Sequence, residues 1–143
     1  MTFHSSKIIS VFKKSLRCSL RVNCEHYLTQ TNLTAQSTGI IGILMAEIIN
    51  PYHASLTHFI KKELRKKSYR MNLGITEGEI IIEEEVLRDF ISQKVDGVLI
   101  HTADIINFNL STFYELIKRK IPTVLIGGGI EGVNLPTVDV ELE

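Results

Sequence analysis

The run Ile40-Ile41-Gly42-Ile43-Leu44-Met45, followed shortly by Asn50-Pro51, constrains the fold more than any other feature of the chain. An almost unbroken apolar run holding one glycine is the pattern of a parallel strand buried on both faces. Asn caps the free amides of a helix start, and Pro at the first helical position gives up an N–H that has no partner there. Ser37 to Leu56 therefore reads as strand, loop and helix start. In an open α/β sheet, ligands occupy the crevice beyond the carboxyl ends of the strands. The loop between Met45 and Asn50 opens onto that crevice.

The following residues repeat the pattern. Leu56, Phe59, Ile60 and Leu64 fall at helical spacing and form one apolar stripe. Lys61, Lys62, Arg65, Lys66 and Lys67 cover the remaining faces and are expected to be solvated, since cations suit a helix C-terminus. Met71, Leu73 and Ile75 alternate as a second strand ending at Thr76-Glu77-Gly78. Glu79 to Lys94 is predicted helical, with Ile82, Val86, Leu87, Phe90 and Ile91 facing inward. Glu83-Glu84-Glu85 are expected on its surface, because three consecutive helical positions point in different directions and cannot converge on one ion. Val95 to Ile100 forms a third strand. Thr112-Phe113-Tyr114-Glu115 has capping-box spacing for a third helix, whose inner residues are Phe113, Leu116 and Ile117. Thr123 to Ile126 and Leu135 to Val140 complete five strands, separated in the main by roughly 25 to 30 residues with helices between. That is βαβ architecture: α/β, a three-layer parallel sheet with helices on both faces.

Residues 1–36 differ in kind. Lys7, Lys13, Lys14, Arg17 and Arg21 all precede the first acid, Glu25, and Gln30 to Thr38 has the polar composition of a linker. The expectation is a basic, poorly ordered N-terminal segment with a short helix near Ile8 to Leu20, ahead of a folded unit over 37–143. Over the whole chain 16 basic residues balance 16 acidic ones, so no net field steers the molecule as a whole to nucleic acid or membrane. No apolar run approaches the ~20 residues of a spanning helix. Cys18 and Cys24 are expected to be free thiols in a cytoplasmic protein, since a lone pair at this spacing completes neither a zinc site nor a disulfide framework.

Catalytic signals are sparse. Gly127-Gly128-Gly129-Ile130-Glu131-Gly132 satisfies G-x-G-x-x-G after a strand, but Val133-Asn134-Leu135-Pro136 cannot open the helix that a dinucleotide's pyrophosphate needs. No nucleophile elbow, phosphate-binding P-loop or zinc-protease motif is present. His53 and His58 lie five apart on one helix and diverge, so no metal is expected between them. His101 ends a strand at the functional edge, yet no nucleophile, base and orienting group assemble around it. No enzyme, cofactor or metal site is expected.

The stretch Gly39-Ile-Ile-Gly-Ile-Leu-Met-Ala-Glu-Ile-Ile-Asn-Pro-Tyr-His53 resembles the opening of the sugar-binding domain of lac-repressor-type regulators and of ribose-type periplasmic binding proteins. The resemblance continues through Val95-Asp-Gly-Val-Leu-Ile100, Ile121-Pro-Thr-Val-Leu-Ile126 and Leu135-Pro-Thr-Val138. It implies a periplasmic-binding-protein-like lobe, incomplete, over 37–143. It places Asn50, Tyr52 and His53 on the loop that holds the ligand and His101 and Thr102 on the next ligand-facing loop. Glu141 stands where an Asp is common, while Gly127-Gly128 replaces an Asp-Arg pair found in many relatives. A pyranose offers an apolar face for an aromatic ring and a rim of hydroxyls for polar groups.

The function implied is a truncated effector-binding module of a bacterial sugar-responsive transcriptional repressor. Its partners are a small-molecule effector, a second subunit in intact relatives, and DNA only through a head not recognisable in 1–36. A solute-binding protein fragment and a small α/β enzyme are the alternatives. A fourth helix of the complete lobe would cover the side bearing the first helix, so an exposed apolar patch is expected there.

Overall fold

The computed structural model describes residues 37–101, 110–130 and 133–138. The expected characters of 1–36 and of 139–143 fall outside these residues, as does the end of the fifth strand. Among the described residues the elements are, in order, β1 (Ile40–Met45), α1 (Pro51–Lys66), β2 (Arg70–Ile75), α2 (Ile80–Ser92), β3 (Gly97–His101), α3 (Leu110–Lys118), β4 (Thr123–Ile126) and β5 (Thr137–Val138). All strands pair in parallel, in the order β2-β1-β3-β4-β5. Among the described residues no helix is long and apolar enough to cross a membrane.

The chain leaves β1 for β2 on one side and then crosses to β3 on the other. Crossovers of one hand then place α1 on one face and α2 and α3 on the opposite face. Two buried clusters record this. Ile41, Ile43 and Met45 meet Leu56, Ile60 and Leu64 of α1, with Leu99, Val124, Ile126 and Val138 in the same cluster. Leu44, Val98, Ile100 and Leu125 meet Leu87 and Phe90 of α2 and Phe113 and Leu116 of α3. Period-2 alternation along each strand feeds both layers, which is why β1 carries no polar side chain.

Two strand glycines set how closely α2 approaches. A Cβ on Gly42 would sit 2.7 Å from the Phe90 ring, and one on Gly74 would sit 2.1 Å from Val86 Cγ1. The missing side chains are therefore the space into which α2 packs.

Several expectations need correction. Glu83 is buried rather than solvated: it shares the inner face of α2 with Leu87 and Phe90. Ile82, Ile91 and Phe59 are half-buried, and Ile117 is exposed. α3 begins at Leu110, so Thr112 is a buried helical residue and not a cap. Among the described residues the apolar patch expected on the α1 side is not seen: Leu99, Val124, Ile126 and Val138 on that face are buried in one cluster with α1. Exposed large apolar side chains stand instead just beyond β1 and β2, at Ile48, Ile49, Ile80 and Ile81.

Candidate functional site

The order β2-β1-β3 makes the gap between β1 and β3 the point where the winding reverses. Such switch points open a crevice at the carboxyl ends of the strands, because the two flanking loops turn to opposite faces. One flank here is 46–50 and the first turn of α1. The other begins at His101, the last residue of β3.

The first flank is built around a carboxylate. Glu47 Oε2 accepts the backbone N–H of Ile49 at 2.9 Å and of Asn50 at 3.0 Å, while Oε1 lies 2.9 Å from His53 Nδ1. The Asn50 amide foremost, with His53 and the Ile49 amide, holds the Glu47 carboxyl below the usual carboxylate range despite an opposing desolvation. An ionised Glu47 accepts only, so His53 carries a proton on Nδ1. Asn50 then caps α1: its Oδ1 accepts the Tyr52 amide at 2.9 Å, with Pro51 opening the helix. This chain of bonds fixes where Tyr52 and His53 leave the helix. Glu47 was not singled out from sequence; its signal was an acid three residues before the Asn-Pro helix start.

Across the crevice, Tyr52 Oη lies 3.3 Å from His101 Nε2. The three rings are mutual neighbours. Centroids are 5.3 Å apart for Tyr52 and His53, 5.7 Å for Tyr52 and His101, and 5.1 Å for His53 and His101, the last pair edge to face. His101 and His53 are buried and Tyr52 is half-buried. Two elements distant in sequence thus join at one point an aromatic face, a hydroxyl and two imidazoles, a set suited to polar, ring-shaped molecules.

Of the residues named from sequence, Asn50, Tyr52, His53 and His101 converge here. Thr102 and Glu141 lie outside the described residues. His58 is exposed, apart from the buried His53, as their spacing implies. Among the described residues no group of three or more His, Cys, Asp or Glu is placed to hold a metal ion. The glycine-rich turn after β4 uses Gly127 at φ 93° and Gly128 at φ 141°, and no helix opens at 127–130 or 133–136. It lacks the helix N-terminus that a pyrophosphate requires.

No protein-family model matches the chain. The HTH-type transcriptional repressor PurR of Aliivibrio fischeri is 29% identical over 98 residues, which are 68% of this chain and 28% of that repressor. The ribose operon repressor of Bacillus subtilis is 27% identical over 101 residues, 71% of this chain and 29% of its own length. Its homologues are lac-repressor-type repressors. The transcription regulator CcpA of Lactococcus lactis superposes with TM-score 0.62 at 24% identity, covering 71% of this chain and 36% of CcpA. A periplasmic binding protein/LacI transcriptional regulator of Alkaliphilus metalliredigens, solved with D-xylulofuranose, superposes at TM-score 0.55 and 21% identity over 71% of this chain and 35% of its own. The five-stranded parallel sheet is the fold of these lac-repressor-type regulators. The chain spans under a third of the length of the two curated repressors, and these homologues are transcriptional regulators, not enzymes.

Proposed function

We propose that the folded residues act as the effector-binding lobe of a cytoplasmic, lac-repressor-type transcriptional regulator, with the ligand held at the β1/β3 switch point. The effector is a small, ring-shaped polar molecule, a sugar or sugar derivative. The reading is carried by the convergence of Tyr52, His53 and His101, three aromatic rings within 5.1–5.7 Å of one another at the crevice. Tyr52 supplies a face for stacking, and its hydroxyl and the two imidazoles supply donors and acceptors for hydroxyl groups. Glu47 and Asn50 position this set through the loop and the helix cap. In a complete regulator, a ligand bound better by one of two global states shifts the population towards that state and so changes DNA affinity.

The test is a thermal-shift screen of pentoses, hexoses and purine bases, followed by calorimetry on the strongest binder. The expected result is saturable binding that weakens at least about tenfold in both Tyr52→Ala and His101→Ala, the effect of losing about 1.4 kcal/mol of contact. Binding that neither substitution changes excludes this site as the effector pocket.

A further inference from the structure

The balanced total charge hides a strong polarity. From residue 39 onward every Lys and Arg falls within 61–70, at 88 and 94, or within 118–120. These positions lie in the second halves of helices that run back against the strands, in the turns that lead into the next strand, or, for Arg70, at the first residue of a strand. They therefore gather toward the amino edge of the sheet. Among the described residues, the stretches that follow the strands, 46–50, 76–79, 127–130 and 133–136, contain no Lys or Arg, and the first two carry Glu47, Glu77 and Glu79.

Segment 61–70 is the densest part of the cationic edge, with six basic residues and one acid, Glu63, which is bonded to Lys66 at 2.9 Å. Lys61, Lys62, Arg65, Lys67 and Arg70 are all exposed. Complementing a helix dipole explains Lys66 and Lys118 in their last turns. It explains neither Lys61 and Lys62, more than a turn from the end of α1, nor Arg70, which opens β2.

The chain enters the sheet at the same edge. The Arg70 amide donates to the Gly39 carbonyl at 2.7 Å, and Thr38 Oγ1 donates to the Lys94 carbonyl at 2.8 Å. The Asp96 carboxylate accepts the Thr38 and Gly39 amides at 3.0 and 2.8 Å and is also bonded to Ser37 Oγ. Residues 37–39 are thus pinned between Arg70 and Lys94.

We propose that this amino edge, centred on 61–70, is a sequence-independent contact for DNA phosphates, separate from the effector crevice at the opposite edge. The proposal rests on the reading of the chain as part of a transcriptional regulator. Exposed cations release counterions on meeting phosphates, and Glu47, Glu77 and Glu79 beyond the carboxyl ends of β1 and β2 turn that side of the lobe away from the duplex.

The test is fluorescence anisotropy of the full chain with a labelled duplex of arbitrary sequence, from low to physiological salt. The expected result is salt-dependent binding that Lys62→Glu/Lys67→Glu/Arg70→Glu weakens at least tenfold, with a shallower dependence of log Kd on log salt. The milder Lys62→Gln/Lys67→Gln variant weakens it in the same direction, and circular dichroism verifies that both remain folded. Binding untouched by these variants but lost in Lys13→Gln/Lys14→Gln overturns the proposal. So does tighter association with phosphatidylserine vesicles than with duplex at the same salt. Sugar binding is the separating control: if it persists while duplex binding is absent, this proposal fails and the effector reading stands.

Discussion

Tyr52 Oη and His101 Nε2 meet at 3.3 Å, joining the first turn of α1 to the last residue of β3 across the point where the sheet reverses its winding. The bond is long, so its own contribution lies at or below about 0.5–1.5 kcal/mol. Tyr52→Phe is accordingly expected to leave chemical-denaturation stability within about 1 kcal/mol of wild type. It keeps the ring face and loses the hydroxyl, so ligand affinity falls less than in Tyr52→Ala. Equal affinity loss in the two variants would show that the hydroxyl, and not the ring, dominates binding.

Glu47 holds the loop that aims those rings. Glu47→Ala removes the acceptor for the Ile49 and Asn50 amides and for His53 Nδ1. The expected cost is about 0.5–2 kcal/mol, similar to the loss of a helix cap. Hydrogen exchange at Ile49 and Asn50 should quicken in the same variant. Nitrogen NMR of the wild-type protein near neutral pH should report His53 with its proton on Nδ1, and the variant should release that preference.

The close approach of α2 gives a packing test. Gly74→Ala puts a methyl 2.1 Å from Val86 Cγ1, and Gly42→Ala puts one 2.7 Å from the buried Phe90 ring. Each is expected to destabilise by about 1–3 kcal/mol, the usual penalty for overfilling a core. Gly74→Ala combined with Val86→Ala should recover part of the loss. Additive destabilisation in the double variant would contradict the proposed packing.

Glu83 supplies a pH dependence of definite sign. Burial foremost, with the neighbouring Glu84, pushes its carboxyl up to about 7. The folded state therefore holds a proton that the unfolded chain releases near the ordinary carboxylate value. This contribution to stability is fully present below that value and is lost as pH rises through about 7. Glu83→Gln keeps the neutral shape, so its melting midpoint should exceed that of wild type at pH 8 and converge with it near pH 4.5. An advantage of the same size at both pH values would show that Glu83 does not titrate in this window.

How far the sequence disclosed these features depends on the physics involved. The strands were legible because residues such as Ile41, Ile43 and Leu44 are apolar on both sides, and the start of α1 because Asn50-Pro51 is a local signal. Glu83 was misplaced because a helix's inner face is set by its tertiary neighbours, and Gly42 and Gly74 allow α2 closer than side-chain polarity alone implies. The exposure of Ile117 has the same kind of cause, since the buried stripe of α3 runs through Thr112, Phe113 and Leu116. His101 was recognisable as a residue at a strand's carboxyl end. The family resemblance implied neighbouring ligand-facing loops for His101 and for Tyr52 and His53, but the ring contacts themselves depend on the strand order β2-β1-β3, which no local pattern encodes.

The β1/β3 crevice is the proposed ligand pocket. The most direct measurement is NMR of the histidine imidazoles and backbone amides while the best binder from the sugar and purine screen is added. Saturable shifts are expected at His53, His101 and the backbone N–H groups of 47–50 and Tyr52, with 61–70 unmoved. Saturable binding that leaves both imidazoles unchanged and moves residues elsewhere would contradict that placement of the pocket.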